Sequence, residues 1–157
     1  MQIARASTAD IPFVMATERL PGNEGLVGRF EQNEHEVALA DRNNAYFIGS
    51  IAGKPVGFVI VQRWASETRR TLIRRVIAAE TGNRIGRELL SKVIDVILAE
   101  TKADLLWLNV RPNHIRAQRC YSALGFSFAE RAFVAEAGES GSLLMVLQRS
   151  GWEQRKA

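Results

Sequence analysis

The spacing of hydrophobic positions changes several times along the chain, which predicts a mixture of strands and helices. Short apolar runs rich in β-branched residues indicate strands, and apolar residues three and four positions apart indicate helices. The clearest helix covers residues 86–102, GRELLSKVIDVILAETK, whose apolar residues fall on one side. The predicted elements follow the order β-α-α-β-β-β-α-β-α-β-β.

These elements predict a single compact unit with a mixed α/β fold. We predict strands over 1–7, 45–51, 56–64, 71–79, 103–110, 126–134 and 142–149, and helices over 8–20, 31–42, 86–102 and 111–126. The strand–helix–strand segment 71–110 should form a right-handed crossover between two parallel strands. Within it, the adjacent Arg74 and Arg75 interrupt an apolar strand and predict a β-bulge. Residues 1–150 therefore form one predicted domain, followed by a polar, frayed tail over 151–157.

Composition narrows the class of protein. With 157 residues, 46% of them hydrophobic and 24% charged, the chain is typical of a soluble globular domain. No apolar run reaches the roughly 20 residues of a membrane span, and the first residues lack a signal-peptide core, so we expect a cytoplasmic protein without a membrane partner. The single Cys120 and the distant His35 and His114 favour neither an internal disulfide nor a metal site.

Positive charge is concentrated in the middle of the chain. The whole chain carries a net charge of +4, but residues 63–119 alone hold twelve basic and six acidic residues. This excess fits an anionic partner bound there, and it also fits a solvated basic face. The sequence has no zinc-finger, RRM-like or GxxG-clamp signature, so we expect no nucleic-acid partner.

The basic region contains a glycine-bearing turn between a strand and a helix. It reads AAETGNRIGRELL over residues 78–90. Gly82 and Gly86 allow close approach to the backbone, and Asn83, Arg84 and Arg87 add donors or charge. Phosphates bind at helix N-termini because unpaired N–H groups and a partial positive charge meet there. The residues alone leave two interpretations open, a phosphate site and an ordinary strand–helix connection.

Two motifs in this region resemble the acyl-CoA-binding core of the GNAT (Gcn5-related N-acetyltransferase) superfamily. The pyrophosphate loop R/Q-x-x-G-x-G/A falls on residues 81–86 as TGNRIG. The second motif, N-x-x-x-A-x-x-x-Y-x-x-x-G-F, is complete in Asn113, Ala117, Tyr121, Gly125 and Phe126. In the first motif Thr81 replaces the usual Arg or Gln, and Arg84 replaces the first glycine. The Arg84 side chain can crowd a phosphate or fold its planar guanidinium onto one.

The resemblance implies a fold, a cosubstrate and a reaction. The fold is α/β (an α+β mixed sheet), GNAT-like, with a central, mostly antiparallel sheet, one parallel crossover and about four flanking helices. Acetyl-CoA is the implied cosubstrate, without a metal, for direct acetyl transfer to an amine acceptor by a monomer or homodimer. The positions that match the family's cofactor site are Val76, Ile77, Ala78, Thr81, Gly82, Asn83, Arg84, Ile85, Gly86, Arg87 and Asn113. Tyr121 matches the tyrosine that protonates the leaving thiolate, a general-acid role.

The same residues also have ordinary structural interpretations. Residues 76–78 fit a plain buried strand, and Asn113 fits the start of a helix, where Asn is a good cap. Tyr121 shares a helical face with Ala117 and Leu124, which is common for a core residue. Only the resemblance favours the binding and catalytic roles over these alternatives.

The sequence does not identify the residue that acts as the general base or the amine that accepts the acetyl group. Leu72 stands where many relatives carry a glutamate, which leaves Glu67, Glu80, His35 or a water chain to take the proton of the amine. In the family the acceptor wall comes from the first two helices and their loop, here residues 19–36. Its acidic residues Glu24, Glu31 and Glu34 can attract a cationic amine, or lie solvated on a surface.

Three classes of function follow from these observations. The first is an N-acetyltransferase for a small-molecule or protein amine. The second is a non-catalytic CoA-binding or sensor domain of the same fold, because a fold alone does not settle function. The third is a basic nucleic-acid-binding domain. An intact Tyr121 favours the enzyme, whereas Leu72 and Arg84 favour the sensor.

Overall fold

The computed structural model describes residues 1–23, 25, 28–82, 84–138 and 140–156, which build one seven-stranded sheet flanked by helices. The strands are β1 (Gln2–Arg5), β2 (Asn44–Ile51), β3 (Lys54–Gln62), β4 (Arg70–Ala78), β5 (Leu105–Val110), β6 (Ser127–Ala129) and β7 (Leu143–Gln148). The helices are α1 (Ile11–Glu18), α2 (Gln32–Ala40), α3 (Ile85–Glu100), α4 (Ile115–Leu124) and α5 (Arg149–Lys156). None of the described helices is long and apolar enough to cross a membrane.

The strands lie in the order β1-β2-β3-β4-β5-β7-β6. Every neighbouring pair is antiparallel except β4 and β5, which are parallel and are connected through α3. The predicted fold class, a mostly antiparallel sheet with one parallel crossover, is therefore confirmed.

Helix α3 anchors one face of the sheet and fixes where the loop before it must lie. Its apolar stripe is completely buried and consists of Leu89, Leu90, Val93, Ile94 and Ile97. Each such side chain contributes about 1.5–3 kcal/mol when it is fully buried, so the position of this helix is strongly determined. Helices α1 and α2 cover the opposite face, where Val14 packs with Tyr46 and Phe58.

Strands β4 and β5 separate after a short paired stretch. They pair only from Arg70 to Leu72 on β4 and from Leu105 to Trp107 on β5. On the other side of β4, Arg75 pairs with Ile60 but Ile73 pairs with Val61, so Arg74 is the extra residue of a β-bulge. This confirms the predicted bulge and places it where the two parallel strands part.

The C-terminal segment differs from its prediction. The prediction of a frayed polar tail over 151–157 is wrong for the described residues, because α5 extends to Lys156. Trp152 is buried against the core and donates its indole N–H to Asp95 at 2.9 Å. The predicted strand 126–134 is likewise shortened to β6, and short 3-10 turns follow it.

Candidate active site

A cleft of about 410 Å³ lies between the C-terminal half of β4, the loop after it, and helices α3 and α4. The sequence-predicted residues that line it are Val76, Ile77, Ala78, Thr81, Gly82, Arg84, Ile85, Gly86, Arg87 and Tyr121. Asn113 does not line the cleft, and Asn83 lies outside the described residues. The structure thus brings the loop, the split strand and the tyrosine together around one space.

The backbone of the loop is shaped by two residues in the left-handed region. Gly82 has φ of 90°, and Arg84, the residue before α3, has φ of 62° and ψ of 15°. A left-handed conformation costs a non-glycine residue about 1–2 kcal/mol, which explains why the family motif has glycine at this position. A Cβ added at Gly86 would meet nothing within 4 Å, so the first turn of α3 offers an open cradle for a ligand.

The wall of the cleft is mostly positive. The cationic residues that line it are Arg84, Arg87, Arg116 and Arg119. Among the described lining residues, Glu80 is the only carboxylate. This charge adds to the partial positive charge of the α3 N-terminus, and together they favour an anionic ligand.

Helix α4 begins one residue later than the interpretation of Asn113 as its cap requires, so that interpretation is wrong. The helix starts at Ile115 with His114 as the preceding cap residue, and Asn113 is exposed in a turn closed by a 2.9 Å bond from His114 N–H to the Arg111 carbonyl. The helix ends at Leu124, two residues before the end of the predicted range, because Gly125 adopts a left-handed φ of 105°.

Tyr121 is half-buried on α4 and lines the cleft. Its ring packs against Phe126 with the centroids 6.0 Å apart. Burial, with a smaller contribution from Cys120, raises the pKa of the Tyr121 hydroxyl above its usual value. The hydroxyl carries its proton at neutral pH, as an ordinary tyrosine also does, and the raised pKa makes it a weaker acid. Burial also raises the pKa of the Cys120 thiol, which does not favour a nucleophilic role for that residue.

A second cavity, of about 280 Å³, occupies the gap where β4 and β5 part. Its described lining consists of Gly28, Leu72, Ile73, Arg74, Arg75, Val76, Asn109, Val110, Arg111, His114, Tyr121, Ser140 and Ser142. Val76, His114 and Tyr121 line both cavities, so the two spaces meet at these side chains. Sequence reasoning assigned no role to His114, because only the fold brings it to this junction.

The sequence-predicted base and acceptor residues are scattered. Glu80 lines the first cleft, Glu67 is exposed and lines neither cavity, and His35 is fully buried elsewhere. Glu31 and Glu34 are exposed at the start of α2, where they form a capping box, and Glu24 lies outside the described residues. No group of three or more His, Cys, Asp or Glu side chains in the described part of the chain is arranged to hold a metal ion.

A buried polar network behind the second cavity was missed by sequence reasoning. Glu18 accepts one hydrogen bond from Arg75 and forms another, 2.8 Å long, with Nε2 of His35. The other ring nitrogen of His35 lies 2.7 Å from the Tyr46 hydroxyl. All four side chains are buried, and the Arg75 guanidinium stacks over Phe30 at 4.6 Å. Burial raises the pKa of Tyr46 to about 12 and lowers that of Arg75, although Glu18 opposes the latter shift.

Comparison with known proteins identifies the family. The model of the acetyltransferase (GNAT) family matches residues 14–126, well over half of the chain. No curated protein sequence matches the chain significantly.

Several solved structures share the fold. Aminoglycoside acetyltransferase AAC(6')-Ib in complex with coenzyme A and kanamycin is 14% identical over 99% of both chains, with a TM-score of 0.80. A variant of spermidine N-acetyltransferase SpeG from Vibrio cholerae is 16% identical over 100% of both chains, with a TM-score of 0.79. Ribosomal-protein-alanine N-acetyltransferase from Brucella melitensis is 19% identical over 94% of this chain and 99% of that chain, with a TM-score of 0.71. With its motifs, its fold and the family match in agreement, the chain belongs to the GNAT acetyltransferase family.

Proposed function

We propose that this protein is an N-acetyltransferase that moves an acetyl group from acetyl-CoA directly to an amine acceptor. The observation that carries the proposal is the meeting of two cavities at Tyr121, in the gap between β4 and β5. One cavity has the glycine cradle and positive wall expected for a nucleotide thioester, and the other leaves space for an acceptor. Structural relatives in complex with coenzyme A support the assignment of the first cavity.

The residues of the first cleft fit the chemistry of coenzyme A. The residues that would hold its pyrophosphate are Thr81, Gly82, Asn83, Arg84, Ile85, Gly86 and Arg87, with the N–H groups at the start of α3. Val76, Ile77 and Ala78 lie beyond the last β4–β5 pair, so they have backbone groups on that side to offer the pantetheine arm. A contact between Asn113 and that arm stays a prediction.

Acetyl transfer then requires that the two reactants be held side by side and that two protons be moved. The amine nitrogen bonds to the thioester carbonyl carbon, the C–S bond breaks, and the leaving sulfur takes the proton of the Tyr121 hydroxyl. Two reactants held side by side avoid the entropic cost of a bimolecular encounter. The amine must also lose a proton, and either His114, which lies at the junction of the cavities, or a water chain can take it.

Acetyl-CoA is expected to raise the melting temperature, and the chain is expected to release free CoA thiol when an amine is added. A ligand that binds only the folded state stabilises it by about 2.7 kcal/mol at a hundredfold excess over Kd. Thermal shift and calorimetry measure the first effect, and thiol release across an amine panel measures the second. If millimolar acetyl-CoA causes neither a shift of the melting temperature nor a heat of binding, the proposal is contradicted. Binding without turnover on any amine would favour the sensor domain.

Replacing Arg84 by Ala is expected to weaken CoA binding by about 1.5–3 kcal/mol, the value of a charge-assisted hydrogen bond. Truncated pantetheine analogues, which lack the phosphates, should lose less affinity in the same titration. Arg84→Gly is the matched variant, because it removes the same guanidinium but accepts the left-handed backbone. It should be about 1–2 kcal/mol more stable to urea than Arg84→Ala. Tighter CoA binding by Arg84→Gly would show that the side chain is an obstacle.

A further inference from the structure

The acceptor cavity, as we call the 280 Å³ space between β4 and β5, has a cationic wall. Arg74, Arg75 and Arg111 all line it, and none of its described lining residues is acidic. The other polar side chains there include Asn109, Ser140 and Ser142. A wall of this charge is unsuited to a polycation.

The bulge explains why two consecutive arginines reach the same cavity. Successive side chains of a regular strand point to opposite faces. Arg74 is the unpaired extra residue in β4, and such a residue changes the direction of the strand locally. Both Arg74 and Arg75 line the cavity as a result.

The three arginines differ in whether a carboxylate of the protein already neutralises their positive charge. Arg75 is buried and forms an ion pair with the fully buried carboxylate of Glu18. Arg74 and Arg111 form no ion pair with any residue in the described ranges. Arg111 donates one hydrogen bond, to the Gly25 carbonyl at 2.7 Å, and Arg74 lies 5.8 Å from the centre of the Phe30 ring. Within the described part of the chain, no carboxylate therefore balances these two guanidinium groups, which have donors and charge to offer a ligand.

We infer that the acceptor is a small amine that also bears a carboxylate, held by Arg74 and Arg111 while its amine faces Val76 and Tyr121. A guanidinium offers a planar fork that matches a carboxylate in geometry. The same arginines would repel a polycation, so this acceptor differs in charge from the kanamycin bound to a structural relative and from the spermidine in the name of another. The inference rests on the proposed acetyltransferase function.

The experiment compares amines that differ only in charge. A panel of α- and ω-amino acids is paired with the corresponding carboxamides, with spermidine and kanamycin added as polycations. Thiol release gives kcat/KM, corrected for the fraction of free amine at the assay pH. We expect the best carboxylate to exceed its carboxamide at least tenfold, and this ratio to fall as salt screens the charges.

Substitutions of single arginines test which side chains cause the preference for a carboxylate. Arg74→Gln and Arg111→Gln should each lower the carboxylate-to-carboxamide ratio at least fivefold, and Arg111→Lys should retain part of it. Arg42→Gln is the matched control, because it removes one exposed positive charge outside both cavities. Acetyl-CoA affinity, measured by calorimetry, should be unchanged in all four variants.

The outcomes separate this inference from the proposed function. Turnover of amines with no preference for the carboxylate, or a preference for the polycations, overturns the inference and leaves the acetyltransferase in place. A loss of acetyl-CoA affinity in Arg74→Gln and Arg111→Gln also overturns it, because the arginines would then serve the cosubstrate. If no amine turns over, calorimetry of each carboxylate and carboxamide with the CoA-saturated protein decides. Equal or absent binding overturns the inference, and tighter carboxylate binding supports it.

Discussion

Tyr121→Phe is expected to lower kcat at least tenfold on any accepted amine. Tyr121 lines both cavities, and its hydroxyl carries a proton at neutral pH. General acid catalysis contributes about 10²–10⁴-fold, and a water that replaces the hydroxyl can recover part of that. Steady-state kinetics with saturating acetyl-CoA measures the change.

Binding and packing should survive this substitution. Phe keeps the ring and its contact with Phe126, so acetyl-CoA affinity should stay within about threefold, a difference of under ~0.7 kcal/mol. Tyr46→Phe is a control for kcat alone: it removes the one other tyrosine hydroxyl of the chain, from a residue that lines neither cavity, and it also breaks the 2.7 Å contact with His35. If Tyr121→Phe and the unmodified protein share the same kcat, Tyr121 is a core residue and water protonates the thiolate.

The elements of the fold that the sequence predicted are those set by local patterns. The apolar stripe of α3 has a clear helical period, and the strand–helix–strand order around it restricts β4 and β5 to a right-handed parallel crossover. The arginine pair in β4 predicted the bulge because two consecutive charged residues interrupt the alternation of apolar and polar residues expected of a strand. The residues of the loop 81–86 are contiguous, so its resemblance to a family motif could be seen in the sequence, and its role in binding CoA stays a prediction.

What the sequence could not predict depends on contacts between distant residues. Helix α5 has a polar sequence, and its one buried anchor, Trp152, meets Asp95 on α3, 57 positions away. Glu18 resembled any acidic residue near the end of a surface helix, and its partner Arg75 is also 57 positions away. His114 reaches the junction of the two cavities only because β4 and β5 part. Neither the hydrophobic periodicity nor a motif of a single sequence indicates which distant residues will contact each other.

Glu18→Ala is expected to lower the free energy of unfolding by about 3–5 kcal/mol, because removing one partner of a buried ion pair leaves the other charge uncompensated. Arg75 is only 7% exposed, so water compensates only partly for the lost carboxylate. His35, also fully buried, would lose its 2.8 Å partner in the same step. Urea unfolding, extrapolated linearly to water, measures the loss.

The control for this prediction lies close to the same network. Glu31 contacts Arg19 at 3.3 Å, and Arg19 also contacts Glu18, but the Glu31 side chain is 73% exposed. An exposed pair contributes about 0–1 kcal/mol and the helix cap that Glu31 also supplies about 1 kcal/mol, so Glu31→Ala should still destabilise less than Glu18→Ala. The double variant Glu18→Leu with Arg75→Met removes both charges and should recover much of the stability, because well-packed apolar residues often replace a buried pair at little cost. If Glu18→Ala unfolds at the same urea concentration as Glu31→Ala, the network does not hold α1 and α2 against the split strand.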